Sequence, residues 1–156
     1  MQNLSKKRTY FYLLLPSVVG ALSALLTRSG MERFEGLRQP PWAPPGWAFP
    51  AVWITLYILM GISAVLIARS SRPGVRDALK LFYAQLFVNF WWSILFFTWE
   101  LRLFAFFWLV LLFVLAAAMV FAFRTIDHRA ALMNIPYLLW LILAGCLNLS
   151  VWRLNK

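Results

Sequence analysis

Apolar residues run almost unbroken through five segments of this chain, at about 9–26, 49–68, 78–97, 103–123 and 130–151. Each is close to the ~20 residues that a helix needs to cross a bilayer core of ~30 Å. The pattern predicts an all-α integral membrane protein, a five-transmembrane-helix bundle with residues 1–156 as a single domain. The stretches between segments are short, and residues 29–48 form a loop rich in tryptophan and proline.

The polar positions inside the segments are few and patterned. Gln85, Asn89 and Ser93 recur at i, i+4 and i+8, so they form one stripe on the third helix. Unpaired amides are costly against lipid, so the stripe must face either another helix or a cavity. Interhelical hydrogen bonding and cavity lining both satisfy that requirement. On the second segment Trp53 and Tyr57 share a face, with Met60 one turn further on. On the fifth, Pro136 and Tyr137 precede Trp140, Ala144 and Asn148 at spacings of four. Ala144 beside Trp140 either lets helices pack closely or leaves room for a flat ligand. The fourth segment carries no polar group inside it beyond the Trp108 indole. The acidic residues Glu32, Glu35, Asp77, Glu100 and Asp127 all lie between segments, which argues against an intramembrane proton relay.

The connector Pro40-Pro41-Trp42-Ala43-Pro44-Pro45-Gly46-Trp47-Ala48-Phe49-Pro50 cannot continue a helix or sit within a sheet, because proline supplies no amide proton. A stiff, extended segment carrying Trp42 and Trp47 and followed by Trp53 suits a cover over a cavity. The tryptophans also suit interfacial anchoring, and Pro41 and Pro44 fit a PxxP ligand.

A hydrophobic content of 63% and a mean hydropathy of +0.74 exclude an ordinary soluble domain. The net charge of +10 is dispersed among loops and ends, so it forms no nucleic-acid face. With five crossings, nine basic residues fall on the side of the N-terminus and six on the other, which predicts a cytoplasmic N-terminus. Lys6-Lys7-Arg8 before an apolar run resembles a secretory signal, but the length of the run favours a retained first span. Lone Cys146 excludes an intrachain disulfide, and lone His128 beside Asp127 reads as a solvated loop residue, so no metal site is expected. No phosphate-binding loop and no nucleophile–base constellation is present, so no catalytic set is expected.

The pattern W-x-P-P-x-W-x-F-P-x-x-W from Trp42 to Trp53, with Pro136-Tyr137-Leu138-Leu139-Trp140 on the fifth segment and Leu147-Asn148 near its end, resembles the TspO/MBR family of tryptophan-rich sensory proteins over nearly the whole chain. The resemblance implies a homodimeric five-helix bundle with a ligand pocket under the first loop. It implies porphyrin-type ligands (protoporphyrin IX, haem) and drug-like isoquinoline carboxamides, with no obligatory cofactor. Trp53 and Trp140 match the family's pocket tryptophans, Gln85 and Asn89 its polar positions, and Ala144 the small residue one turn on. Trp42, Pro44, Pro45 and Trp47 match the loop that closes the pocket, beside Tyr57 and Phe34. Arg33 and Arg38 are candidates to pair with porphyrin carboxylates. Three functions follow as expectations: a receptor or sensor, a light-dependent porphyrin degrader using Trp53 and Trp140 as electron donors, and a transporter of amphipathic metabolites.

The chain departs from the family's usual pattern in three places. Arg33-Phe34 stands where Trp-Tyr is common, which removes an indole and a phenol from the lid. The stretch from Leu147 to Arg153 lacks the tyrosine of the sterol-associated pattern, which argues against sterol binding. Gln85 replaces an asparagine of some relatives and keeps the amide.

Overall fold

The computed structural model describes residues 4–156. They form helices α1 (Lys6–Glu35), α2 (Ala48–Ala68), α3 (Val75–Ser93), α4 (Arg102–Ile126), α5 (His128–Leu132) and α6 (Ile135–Leu154). A single π-helical turn, Ile94–Thr98, extends α3. Five helical units are long and apolar enough to span a membrane: α1, α2, α3 with its π turn, α4, and α5 with α6. The protein is thus a multi-pass integral membrane bundle.

Side-chain contacts fix which ends lie together. Arg33 donates to Glu100 at 2.9 Å, and Asn155 exchanges two hydrogen bonds with the backbone of Arg38 at 3.0 and 2.9 Å. The α1–α2 connector, the α3–α4 turn and the C-terminal end therefore share one face, the connector face. At the opposite face Arg69 donates to the Thr9 hydroxyl at 3.4 Å and Arg72 to the Thr125 carbonyl at 3.2 Å.

The observed elements depart from the expected boundaries in three ways. First, residues 29–35 belong to α1 rather than to the loop, so α1 is 30 residues long and exceeds a bilayer core. Gly30 seats this extension against the Phe97 carbonyl, and Arg33 ties it to Glu100. Second, the fifth span is divided. Asp127 caps α5 by accepting from the amides of Arg129 and Ala130, and α6 begins afresh at Ile135 with Pro136 in its first turn. Third, the proline connector folds into two tight turns rather than one extended run: Ala43 N–H donates to Pro40 O and Ala48 N–H to Pro45 O, each at 2.9 Å. Pro41 occupies the second position of the first turn, where its fixed φ is favourable.

Two further glycines let α1 and α2 touch closely. A methyl at Gly61 would overlap the Leu13 carbonyl, and one at Gly20 would overlap the Tyr57 ring. Between helices in lipid, small residues give close backbone approach, and dispersion contacts then replace the missing hydrophobic drive.

Gln85 and Asn89 of the polar stripe resolve into interhelical hydrogen bonds. Tyr57 Oη donates to Asn89 Oδ1 at 3.5 Å, and Asn89 Nδ2 donates to Tyr137 Oη at 3.0 Å. Tyr137 Oη in turn donates to Gln85 Oε1 at 3.0 Å, and Gln85 Nε2 lies 4.0 Å from Met60 Sδ. One directional chain thus joins α2, α3 and α6, and Gln85, Asn89 and Tyr137 are all buried. A second clasp ties α2 to the α5–α6 turn: Asn134 Nδ2 donates to Ser63 Oγ and Ala130 O, each at 2.8 Å.

Tyr137→Phe leaves Gln85 Oε1 and Asn89 Nδ2 without their partner, and a loss of about 1–2 kcal/mol is expected. Thermal unfolding of the detergent-solubilised protein measures it; an unchanged midpoint would show that the chain contributes nothing. Gly61→Ala is expected to cost about 1–3 kcal/mol in the same assay, because the opposing group is backbone and cannot rotate away.

Candidate ligand site

Trp53 is the hub of an aromatic cluster built from three helices. It stacks on Tyr57 of the same helix with centroids 5.3 Å apart and planes 25° apart. Trp92 of α3 lies 6.5 Å away, and Tyr137 and Trp140 of α6 lie 6.2 and 6.5 Å away, both edge to face. Phe49 closes on Trp140 from the first turn of α2 at 5.7 Å. The edge-to-face and offset arrangements are those that aromatic quadrupoles favour. The polar chain sets the cluster, because each tyrosine ring is held at its hydroxyl end by Asn89.

The pair expected to meet, Trp53 and Trp140, does meet. Trp140 also lines a groove of about 500 Å³ between α2 and α6, with Val52, Thr55, Leu56, Pro136 and Leu143 among its other walls. Ile54, Ile58, Leu139 and Ile142 are exposed on the same two helices, so the groove opens sideways among apolar side chains. The Thr55 hydroxyl is occupied by the Ala51 carbonyl at 3.0 Å. The Trp140 indole N–H is buried with no acceptor among the described residues. That nitrogen is covered by neighbouring side chains, so an acceptor in the groove reaches it only where those side chains give way.

The remaining sequence-expected residues divide. Gln85 and Asn89 lie beneath the cluster, fully engaged in the interhelical chain. Ala144 is buried in the core, apart from the groove. Phe34 packs on Phe96 and Phe97 at 5.5 and 5.4 Å, near the connector face. Trp42 and Trp47 are 48% and 74% exposed on the connector and do not join the rings around Trp53. The two tight turns direct them outward.

Arg33 is paired with Glu100, and Arg102 Nη2 reaches the other oxygen of the same carboxylate at 3.1 Å. The Arg33 hydrogen bond, with added attraction from Arg102, holds the Glu100 carboxyl below its ordinary range. Trp92 escaped the sequence reading although it falls on the Gln85–Asn89 stripe, three residues after Asn89. Its indole donates to Asn148 Oδ1 at 3.4 Å, and Asn148 Nδ2 donates to the Arg102 carbonyl at 2.8 Å. Phe49 and Glu100 were also missed; proximity across helices leaves no local signal for them.

A model of the TspO/MBR family matches residues 12–153. The chain is similar to the CrtK protein of Rhodobacter capsulatus, 37% identical over 150 residues that cover 92% of this chain and 90% of that protein. It is similar to the translocator protein of Bos taurus, with 36% identity covering 93% and 88% of the two chains. It is also similar to the tryptophan-rich sensory protein of Cereibacter sphaeroides, with 35% identity covering 80% and 77%. Five spans, the paired tryptophans of α2 and α6, and these matches along almost its whole length agree: the chain belongs to the TspO/MBR family.

Proposed function

We propose that this protein is a membrane receptor for tetrapyrroles, with protoporphyrin IX and haem as ligands, and for drug-like apolar molecules. The observation that carries the reading is the meeting of Trp53, Tyr57, Trp92, Tyr137 and Trp140 beside the α2–α6 groove. Its volume of about 500 Å³ lies within the ~300–1,000 Å³ range of small-molecule sites. A planar macrocycle is largely apolar and presents two π faces, which indole edges and faces engage favourably. The Trp140 N–H, unpaired and covered, becomes a donor where a ligand displaces the side chains over it. Similarity to proteins named translocator protein and tryptophan-rich sensory protein supports a ligand-responsive role.

A second reading, light-dependent porphyrin breakdown, draws support from the same rings. Trp140, Trp53 and Trp92 stand at successive centroid distances of 6.5 Å, close enough for electrons to pass between indoles. Transport finds less support, since the buried amides of Gln85 and Asn89 are spent on tyrosine hydroxyls rather than arrayed along a path.

Trp140→Phe keeps a ring but removes the N–H, and affinity for protoporphyrin IX is expected to fall about three- to tenfold. Quenching of tryptophan fluorescence on titration measures it; undiminished affinity in the Trp53→Phe, Trp140→Phe double variant would refute the site. Illumination of the bound complex separates the two readings. Bleaching of the porphyrin band that stops in Trp140→Phe favours breakdown, and a stable band favours reception.

A further inference from the structure

A second groove, of about 340 Å³, runs between α4 and the divided fifth span, towards the face opposite the connector. Val120 and Phe121 of α4 form one wall, and Leu132 of α5 with Ile135 and Leu138 of α6 form the other. Ala117 and Ala131, which also line it, are short enough to leave a trough between the longer side chains. Phe121 and Leu132 are 72% and 53% exposed, so the trough opens sideways among apolar groups.

Two basic side chains line the same groove at its outer end. Arg124 belongs to the last turn of α4 and His128 opens α5, on either side of the break at Asp127. Ala117 lies seven residues before Arg124, about 10 Å deeper along the helix. Both basic side chains are exposed, and neither meets an acceptor among the described residues. The nearby groups are committed elsewhere. Thr125 O accepts from Arg72 at 3.2 Å, and Asp127 caps α5 with its carboxylate and lies 3.8 Å from Arg129. The nine basic residues on this side face only two acids, Asp77 and Asp127, and Asp77 accepts from Lys80 at 2.8 Å.

An occupant of this groove must therefore satisfy two chemistries about 10 Å apart along a helix. A small anion in water would answer the guanidinium and leave the trough unused. A zwitterionic lipid would fill the trough but bring no net countercharge. A phosphate diester with an acyl chain and no compensating cation answers both. Guanidinium binds phosphate oxygens through paired N–H donors, and an imidazole N–H adds a third. Basic pockets between membrane helices hold anionic head groups for the same reason.

We propose that this groove is a binding site for an anionic phospholipid, with the head-group phosphate on Arg124 and His128 and one acyl chain along the trough. The bound lipid clamps α4 to α5 and α6 beside the break in the fifth span. The site is distinct from the α2–α6 groove, and the proposal stands independently of the tetrapyrrole reading.

The test releases the full chain from bilayer nanodiscs of equal parts phosphatidylglycerol and phosphatidylcholine and counts the retained lipids by native mass spectrometry. The wild-type protein should retain phosphatidylglycerol in excess, and the Arg124→Gln, His128→Gln double variant should lower that excess about fivefold. Ala117→Phe fills the trough without changing charge and should lower it as well; should that variant not fold, Phe121→Ala, which removes a wall at an exposed position, takes its place with the same expectation. Arg153→Gln removes a charge at the connector face and should leave the excess unchanged. No excess in the wild-type protein overturns the proposal. So does a loss in Arg153→Gln equal to that in the double variant, which would mark attraction by net charge alone. An excess indifferent to the trough variant overturns it too, because the acyl chain then lies elsewhere.

Discussion

A bilayer supplies no hydrogen-bond partners, so every buried polar group in this bundle must be answered by another part of the chain. The chain of bonds from Tyr57 through Asn89 and Tyr137 to Gln85 is the fullest answer, and the rest of the interior depends on it. It joins α2, α3 and α6 at one level. It also holds both tyrosines by their hydroxyls, which turns their rings against Trp53. The aromatic cluster is therefore positioned by polar chemistry, and its apolar contacts fill the geometry so defined. Asn134 with Ser63, and Trp92 with Asn148 and Arg102, repeat the arrangement nearer the two faces.

Much of this was legible in the chain because it is periodic. Twenty-residue apolar runs announce spans, and spacings of four placed Trp53 with Tyr57 and Gln85 with Asn89 on common faces. The choice between interhelical bonding and cavity lining was not legible. It depends on whether a partner hydroxyl stands opposite, and Tyr137 lies 48 residues from Asn89. The length of α1 was hidden for a similar reason. Residues 29–35 are too polar to read as a span, yet Gly30 against Phe97 and Arg33 against Glu100 hold them helical. The proline connector is non-helical as far as Trp47, as its composition predicts, but it is turned rather than extended, because prolines at turn positions bend the chain as readily as they stretch it. That bending leaves Trp42 and Trp47 exposed on the connector, outside the rings around Trp53.

The connector face and the α2–α6 groove differ in chemistry. The groove is walled almost wholly by apolar side chains and Trp140. The face gathers Arg33, Arg102 and Glu100. A row of rings from Trp53 through Trp92 and Phe96 to Phe34 runs between them inside the packed core, contributed by α1, α2, α3 and the π turn.

The backbone contact of Gly61 with Leu13 locks α1 to α2, whereas α2 meets α6 across the groove. The looser of these two seams is therefore that between α2 and α6, whose groove opens among apolar side chains that face the hydrocarbon. A guest that entered there would first have dissolved in the membrane. Its occupancy would then follow its mole fraction among the lipids, and a compound that partitions better would act at a lower aqueous dose without binding any tighter.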